Sequence, residues 1–239
     1  MFSAYPMRAK FNKLYLSIFS VSLVYFLLFT AFYLVCFLDK EGLYKLIMAN
    51  ETYKNLPFTL SFEDIKLIAV ELMSYISGKL LFLETNVNIN GVPTAFYSIR
   101  SMIHMADVRN IILTLSKINY VAIFLCLMSL FRLINVNGVL TELEKIYKRT
   151  VIIITSILVA ILIFASVNFD AFFVRFHKIL FTNDLWLLDP DEDYIICLLP
   201  EKIFMIYGLR IILAMVLAVL FSVFLLHTLS KIQSRQEAK

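Results

Sequence analysis

The chain reads as an all-α integral membrane protein of four transmembrane helices carrying a small, mostly helical extracytoplasmic cap. Three observations lead there. Of 239 residues, 61% are hydrophobic and only 17% charged, against roughly 45–50% and about 25% in soluble domains. Four stretches are long and apolar enough to cross a hydrocarbon core of ~30 Å, which takes about 20 residues. The five glycines are too scattered for a P-loop, a dinucleotide fingerprint or a nucleophile elbow, each of which needs clustered glycine. The three cysteines (Cys36, Cys126, Cys197) form no CxxC pair, which argues against a disulfide framework or zinc ribbon. A net charge of +4, dispersed along the chain, lacks the basic cluster of a nucleic-acid binder.

The first span, 14–38, contains no charge. Arg8, Lys10 and Lys13 precede it as in a signal peptide, but its apolar run exceeds the usual h-region and no A-x-A site follows. Leu34-Val35-Cys36 lacks the small residue of a lipobox. A retained helix is expected. Residues 39–117 then form the first extracytoplasmic segment, too long to be structureless in a compact protein. Ser61 is a natural N-cap, with Asp64 in the first turn at the positive end of the helix dipole. Ile65, Ile68, Leu72 and Ile76 keep helical spacing with Ala69 on the same face, and Gly78 is the expected stop. Asn86 to Pro93 suggests a turn or short hairpin. From Thr94 helical patterning is expected to resume and run into the second span, 118–134, where Arg132 can snorkel. The third span is 151–169 and the fourth 203–226, interrupted by Arg210, which is expected to face a partner or polar cavity. Residues 170–202 form the second extracytoplasmic segment.

Flanking charge sets the orientation. The N-terminal tail has three basic residues and no acidic one; the 132–150 connection has four against two. The C-terminal tail has Lys231, Arg235 and Lys239 against Glu237, whereas 170–202 carries three basic and seven acidic residues. Both termini are therefore expected in the cytoplasm, within one membrane domain covering residues 1–239.

Candidate chemistry is sparse. His227 near the end of the fourth span complements a helix dipole or snorkels. His104, in Met102-Ile103-His104-Met105-Ala106-Asp107-Val108-Arg109, has Asp107 at i+3, able to hold one ring nitrogen and orient the other. His177 follows the third span. Both histidines fall on the outer side, where they could pair as general acid and base or simply sit at the headgroup level. The acidic run Asp184, Asp189, Asp191, Glu192, Asp193 fails as an EF-hand, because Tyr194 stands where glycine and Pro200 where glutamate is needed. A solvated loop anchored at the interface by Trp186 fits better. A metal site from His104, His177 and an aspartate lacks HExxH-type spacing, and no elbow supports Ser-His-Asp catalysis. Asn50-Glu51-Thr52 matches a glycosylation sequon, a pattern common by chance.

His104-Met105-Ala106-Asp107-Val108, then Phe176-His177 with Phe181, Asn183-Asp184, Trp186, Asp189-Pro190 and Pro200, resembles the bacterial lipoprotein intramolecular transacylase (Lit) family. The second motif, FHxxxFxNDxWxxDP, is long and specific, and the four-span layout fits as well. The resemblance implies a multi-pass enzyme of the bacterial cell membrane with its site on the extracytoplasmic side. It implies diacylated bacterial lipoproteins as partners, in contact with membrane lipid, and neither cofactor nor metal. The sn-2 acyl chain of a diacylglyceryl-cysteine would move to the cysteine's own α-amine, giving a lyso-form lipoprotein. Carried over by motif, His104 and His177 are the catalytic pair, with either one as base. Asp107 would orient His104; Arg109 and Asn183 are candidates to stabilise the oxyanion, with Asp184 beside them. Trp186, Asp189 and Pro190 would anchor or shape the motif. The alternatives are a non-catalytic tetraspan protein that binds lipid or peptide, and a metal-dependent membrane hydrolase using the same histidines.

Overall fold

The computed structural model describes residues 5–133, 136 and 138–237; Ile134, Asn137 and Lys239 lie outside the described residues. Among the described residues, four helices are long and apolar enough to cross a membrane. They are α1 (Tyr5–Phe37), α4 (Ile99–Leu133), α5 (Val139–Val167) and α8 (Glu201–Glu237). The shorter elements are α2 (Gly42–Asn50), a 3-10 turn at Thr52–Asn55, α3 (Phe62–Ile76), strands β1 (Asn86–Ile89) and β2 (Val92–Ala95), α6 (Phe169–Leu180) and α7 (Ile195–Leu198). The chain divides into two compact units.

One unit takes residues 1–31, 116–169 and 213–239, and its described residues are mainly lengths of the four long helices. Its buried cluster is small, Leu16 with Leu133 and Leu143, because most apolar side chains point outward. Polar links join α5 to α8. The Tyr147 hydroxyl lies 2.6 Å from Ser222 Oγ, and the Leu140 N–H, left unpaired by the first turn of α5, donates to Gln233 Oε1 at 3.2 Å. His227 belongs here too. Its Nδ1 meets Glu144 Oε1 at 2.7 Å, and Lys148 donates to the same oxygen at 2.6 Å. It thus has a carboxylate partner beyond the dipole or headgroup expected from sequence.

The other unit takes residues 32–115 and 170–212 and has an ordinary buried core. Ser61 caps α3 as expected, its Oγ accepting from Asp64 N at 3.1 Å. Ile65, Ile68, Ala69 and Leu72 are fully buried, with Leu43, Ile47, Phe96, Leu198 and Ile203 packed around them. Gly78 follows the helix at φ +84°, the left-handed region that glycine enters without strain. A Cβ there would meet Leu113 at 2.8 Å, so the turn also needs the missing side chain. Strands β1 and β2 pair antiparallel through an Asn90-Gly91 turn with both residues at positive φ, the two-residue geometry that matches strand twist.

The unit departs from expectation at four points. Thr94 and Ala95 are strand rather than helix, because the hairpin's return strand claims them; α4 starts at Ile99, capped by Ser98 Oγ accepting from Ser101 N at 3.0 Å. From there α4 runs unbroken to Leu133. Arg210 is exposed and has no hydrogen bond or ion pair among the described residues; a long stem lets such a head reach polar headgroups without a protein partner. The sequon is built into the fold, since the Thr52 hydroxyl is buried and donates to the Leu198 carbonyl at 2.8 Å. The acidic loop is not wholly solvated. Asp193 is 1% exposed and ties the loop to the start of α4.

Candidate active site

Both outer-segment histidines lie in the unit of residues 32–115 and 170–212, and their rings come together. His104 stands on the second turn of α4, and His177 on the last turn of α6. The ring centroids are 6.0 Å apart and tilted by 40°. They are 5% and 8% exposed, so two side chains that usually sit at the surface are buried side by side. Phe181 packs edge-on to His104 at 5.0 Å and stacks on His177 at 5.7 Å. Phe173 and Phe176 add ring contacts to His177 at 4.0 and 5.4 Å. The Phe176-His177 and Phe181 positions of the motif therefore build a nearly apolar wall around the pair.

The chemistry follows from that wall. His104 precedes the apolar stretch of α4, and burial holds its pKa down at about 4, with His177 lowering it further and Asp107 opposing. Burial also lowers His177, against a backbone hydrogen bond that favours its charged form. Both rings are neutral at neutral pH. His177 Nδ1 lies 2.8 Å from the Phe173 carbonyl oxygen one turn back. A carbonyl only accepts, so Nδ1 carries the proton and the neutral ring leaves its lone pair on Nε2. Helix α6 thereby fixes the tautomer of its own histidine. His104 Nδ1 is buried with no hydrogen-bond partner.

The neighbours expected from sequence fall into place unevenly. Asp107 does not hydrogen-bond to His104; its Oδ2 accepts from Asn183 Nδ2 at 3.0 Å. The i+3 spacing allowed the contact, but the loop after α6 supplied a stronger claimant. Asn183 Oδ1 in turn accepts from Leu185 N at 3.1 Å. Both ends of that amide are therefore occupied, and Asn183 reads as a tether. Arg109 is five residues from His104, well round the helix. Its guanidinium lies over the Tyr75 ring at 4.8 Å, and Nη1 donates to the Leu81 carbonyl at 3.1 Å. It packs the unit rather than the histidine pair.

Trp186 is the clearest correction. Instead of anchoring at an interface it is 4% exposed and stacked on His177 at 4.9 Å and 27°. Sequence reasoning favoured the interface because a lone tryptophan beside carboxylates is what a membrane boundary usually carries.

Two side chains it passed over, Arg100 and Ser98 at the start of α4, hold that tryptophan's loop in place. Arg100 Nη1 donates to the Asp184 and Leu187 carbonyls, both at 3.1 Å, bracketing Trp186. Asp193 accepts from the Ser98 hydroxyl and, through Oδ2, from Asp189 N at 2.9 Å. Asp189 Oδ1 accepts from Asp191 N at 3.0 Å, and the Pro190 carbonyl lies 3.8 Å from the Cys197 thiol. These two motif residues shape the turn and do not reach the histidines. The start of α4, which bears His104, thus also clamps the loop that packs on His177. The only available signal was the Ser98-x-Arg100 pair just ahead of the HMADV motif.

Among the described residues no group of three or more histidine, cysteine, aspartate or glutamate side chains could hold a metal ion.

The family model described as lipoprotein intramolecular transacylase Lit matches residues 17–204. No curated protein sequence matches the chain. Among solved structures, the membrane integral lipoprotein intramolecular transacylase Lit from Bacillus cereus superposes with a TM-score of 0.73 at 23% identity, over 96% of this chain and 99% of that one. A histidine-to-arginine variant of the same protein gives 0.72 at 24% identity, over 97% and 96%. At these identities the likeness speaks for the fold.

Proposed function

This chain belongs to the lipoprotein intramolecular transacylase (Lit) family, and on that premise we propose that His104 and His177 carry out an acyl transfer within a single diacylated lipoprotein. The sn-2 ester of the diacylglyceryl-cysteine is the acyl donor and the cysteine's own α-amine the acceptor. The path from that nitrogen through cysteine and sulfur to the sn-2 carbonyl carbon closes a ring of about eight atoms. Both reactants are parts of one molecule, so holding a near-attack conformer does much of the work. No enzyme nucleophile is needed.

His177 Nε2, the nitrogen with the free lone pair, takes a proton from the amine as it attacks the carbonyl carbon. The C–N bond forms, the tetrahedral centre collapses, and the C–O bond to the sn-2 oxygen breaks. His104 hydrogen-bonds the departing oxygen, and the proton lifted by His177 ends there. An amide and a free hydroxyl replace an ester and an amine, with nothing consumed. The observation that carries this reading is the burial of two neutral histidines side by side, one with its tautomer fixed. Flanking charge supports a site on the extracytoplasmic side of the bacterial cell membrane, with both termini cytoplasmic.

Positioned proton transfer is typically worth about 10²–10⁴-fold. In a host that makes only diacylated lipoproteins, His104→Ala and His177→Ala should each nearly abolish lyso-lipoprotein, read by mass spectrometry of the N-terminal peptide. The double variant should be scarcely worse than either single one, because groups acting as a unit are not additive. Near-normal conversion by either variant at normal abundance would leave the binding-only alternative standing. Activity lost to a chelator and restored by one divalent ion would favour the hydrolase. For sidedness, a cysteine introduced at Asn88 should react with an impermeant thiol reagent in intact cells.

A further inference from the structure

An acyl transfer through a tetrahedral centre needs a donor for the oxygen that becomes negative, and neither residue expected from sequence packs on the histidine rings. Arg109 has an unpaired buried Nε, but on a side chain engaged with Leu81 and Tyr75, and the Asn183 amide is taken by Asp107. Four rings and His104 pack on the His177 ring: Phe173, Phe176, Phe181 and Trp186. Only His104 and Trp186 among them have polar side-chain atoms. Each has a buried nitrogen without a partner, Nδ1 of His104 and Nε1 of Trp186. An indole nitrogen is a donor and nothing else. Leaving a buried donor unpaired is costly, and buried tryptophan N–H groups ordinarily find acceptors. Here the orphan sits on a side chain stacked against the base, held there by Arg100.

We infer that the Trp186 indole N–H is the oxyanion donor of this site, hydrogen-bonding the sn-2 ester carbonyl oxygen as it takes on charge. The inference rests on the histidine reading above. It gives Trp186 two duties, since its face orients His177 while its edge meets the substrate. A donor already stripped of water is what electrostatic stabilisation of an oxyanion calls for, because no solvent has to be moved at the moment of reaction.

The test separates the two duties. Trp186→Phe keeps an aromatic face and removes the N–H. Replacing Trp186 by 3-benzothienylalanine keeps nearly the whole bicyclic stack and exchanges only N–H for sulfur, which protects the result against a folding defect. With purified protein and a synthetic diacylated lipopeptide, both replacements should lower kcat by about 10²–10³-fold with KM little changed. The benzothienyl variant should melt within a few degrees of the parent. Parent-like kcat in the benzothienyl variant would overturn the inference and leave Trp186 as packing alone, and so would a loss confined to KM. His177→Ala is assayed beside them. If it keeps turnover, the histidine reading itself falls. If it is inactive while the benzothienyl variant turns over normally, only the oxyanion assignment falls.

Discussion

The two units of this chain solve opposite problems with the same apolar residues. In the unit built from residues 32–115 and 170–212, Ile65 and Ile68 are 0% exposed within a large buried core. In the other, Phe131 is 84% and Val167 80% exposed, and none of the most apolar window of α5 is buried inside the protein. A hydrocarbon solvent removes the reason to hide a leucine, so the second arrangement is stable only in lipid. The lesson is that hydrophobicity marks the core in the first unit and the solvent in the second. Buried polar groups then stand out most in the first, where the histidines are.

The largest test of that contrast is truncation. Leu72→Ala should cost about 2–5 kcal/mol, as filled cores do when a side chain is removed. Leu217→Ala, at an exposed position on α8, should cost less than about 0.5 kcal/mol. Thermal unfolding of both variants in detergent checks this, and equal losses would break the distinction between the units.

A smaller contrast lies within the unit of residues 32–115 and 170–212, which holds both Gly78 and Gly208. Gly78→Ala forces a Cβ into the left-handed region and to 2.8 Å from Leu113, which should cost about 2 kcal/mol. Gly208 lies within α8 with open space where a Cβ would go. Gly208→Ala should therefore stabilise, by up to about 1 kcal/mol. Melting temperatures should move in opposite directions.

Proton linkage probes the buried pair directly. His104 is held at about 4 from an ordinary value of 6.5, so between those limits the unfolded chain binds a proton that the folded one refuses. Stability therefore rises with pH across that window and is lost on acidification, with His177 acting in the same direction. From pH 7 to pH 5 the loss from His104 should be at most about 2 kcal/mol, a fall of a few degrees in melting temperature. His104→Gln should flatten the acid limb. A parent protein whose melting temperature is constant over that range would contradict the buried neutral ring.

How far the sequence could be read depended on whether a residue's role was local. The Ser61 cap, the Gly78 stop and the α3 face were legible because each is decided within one helical turn. The histidine pair was legible only through its two motifs, since 73 residues separate His104 from His177 and no periodicity links them. What could not be read was competition between distant partners. Asp107 had a good local partner in His104 and was taken by Asn183 instead. Trp186 and Asp193 looked like surface residues until Arg100 and Ser98 gave them somewhere to be buried. Side chains whose hydrogen bonds close over 70 to 100 residues are invisible to local pattern.

The smallest effect should come from the third histidine, and it separates the units most cleanly. His227 and His104 are the same residue in opposite circumstances. His227 is about two-fifths exposed and shares Glu144 with Lys148, at 2.7 and 2.6 Å. Removing its ring leaves that carboxylate still paired with a lysine, so no buried charge is stranded. A part-exposed pair of this kind is worth at most about 1 kcal/mol. His104 has no such partner, and its orphan nitrogen belongs to a ring buried beside His177. His227→Gln should therefore lower the melting temperature by no more than a few degrees and leave the yield of lyso-lipoprotein within about twofold of the parent, the range expected for a change away from core and site. Conversion assayed at equal protein abundance checks it. A collapse of activity in His227→Gln comparable to that in His104→Ala would mean that the Glu144 cluster takes part in turnover, and the assignment of all the chemistry to residues 32–115 and 170–212 would be wrong.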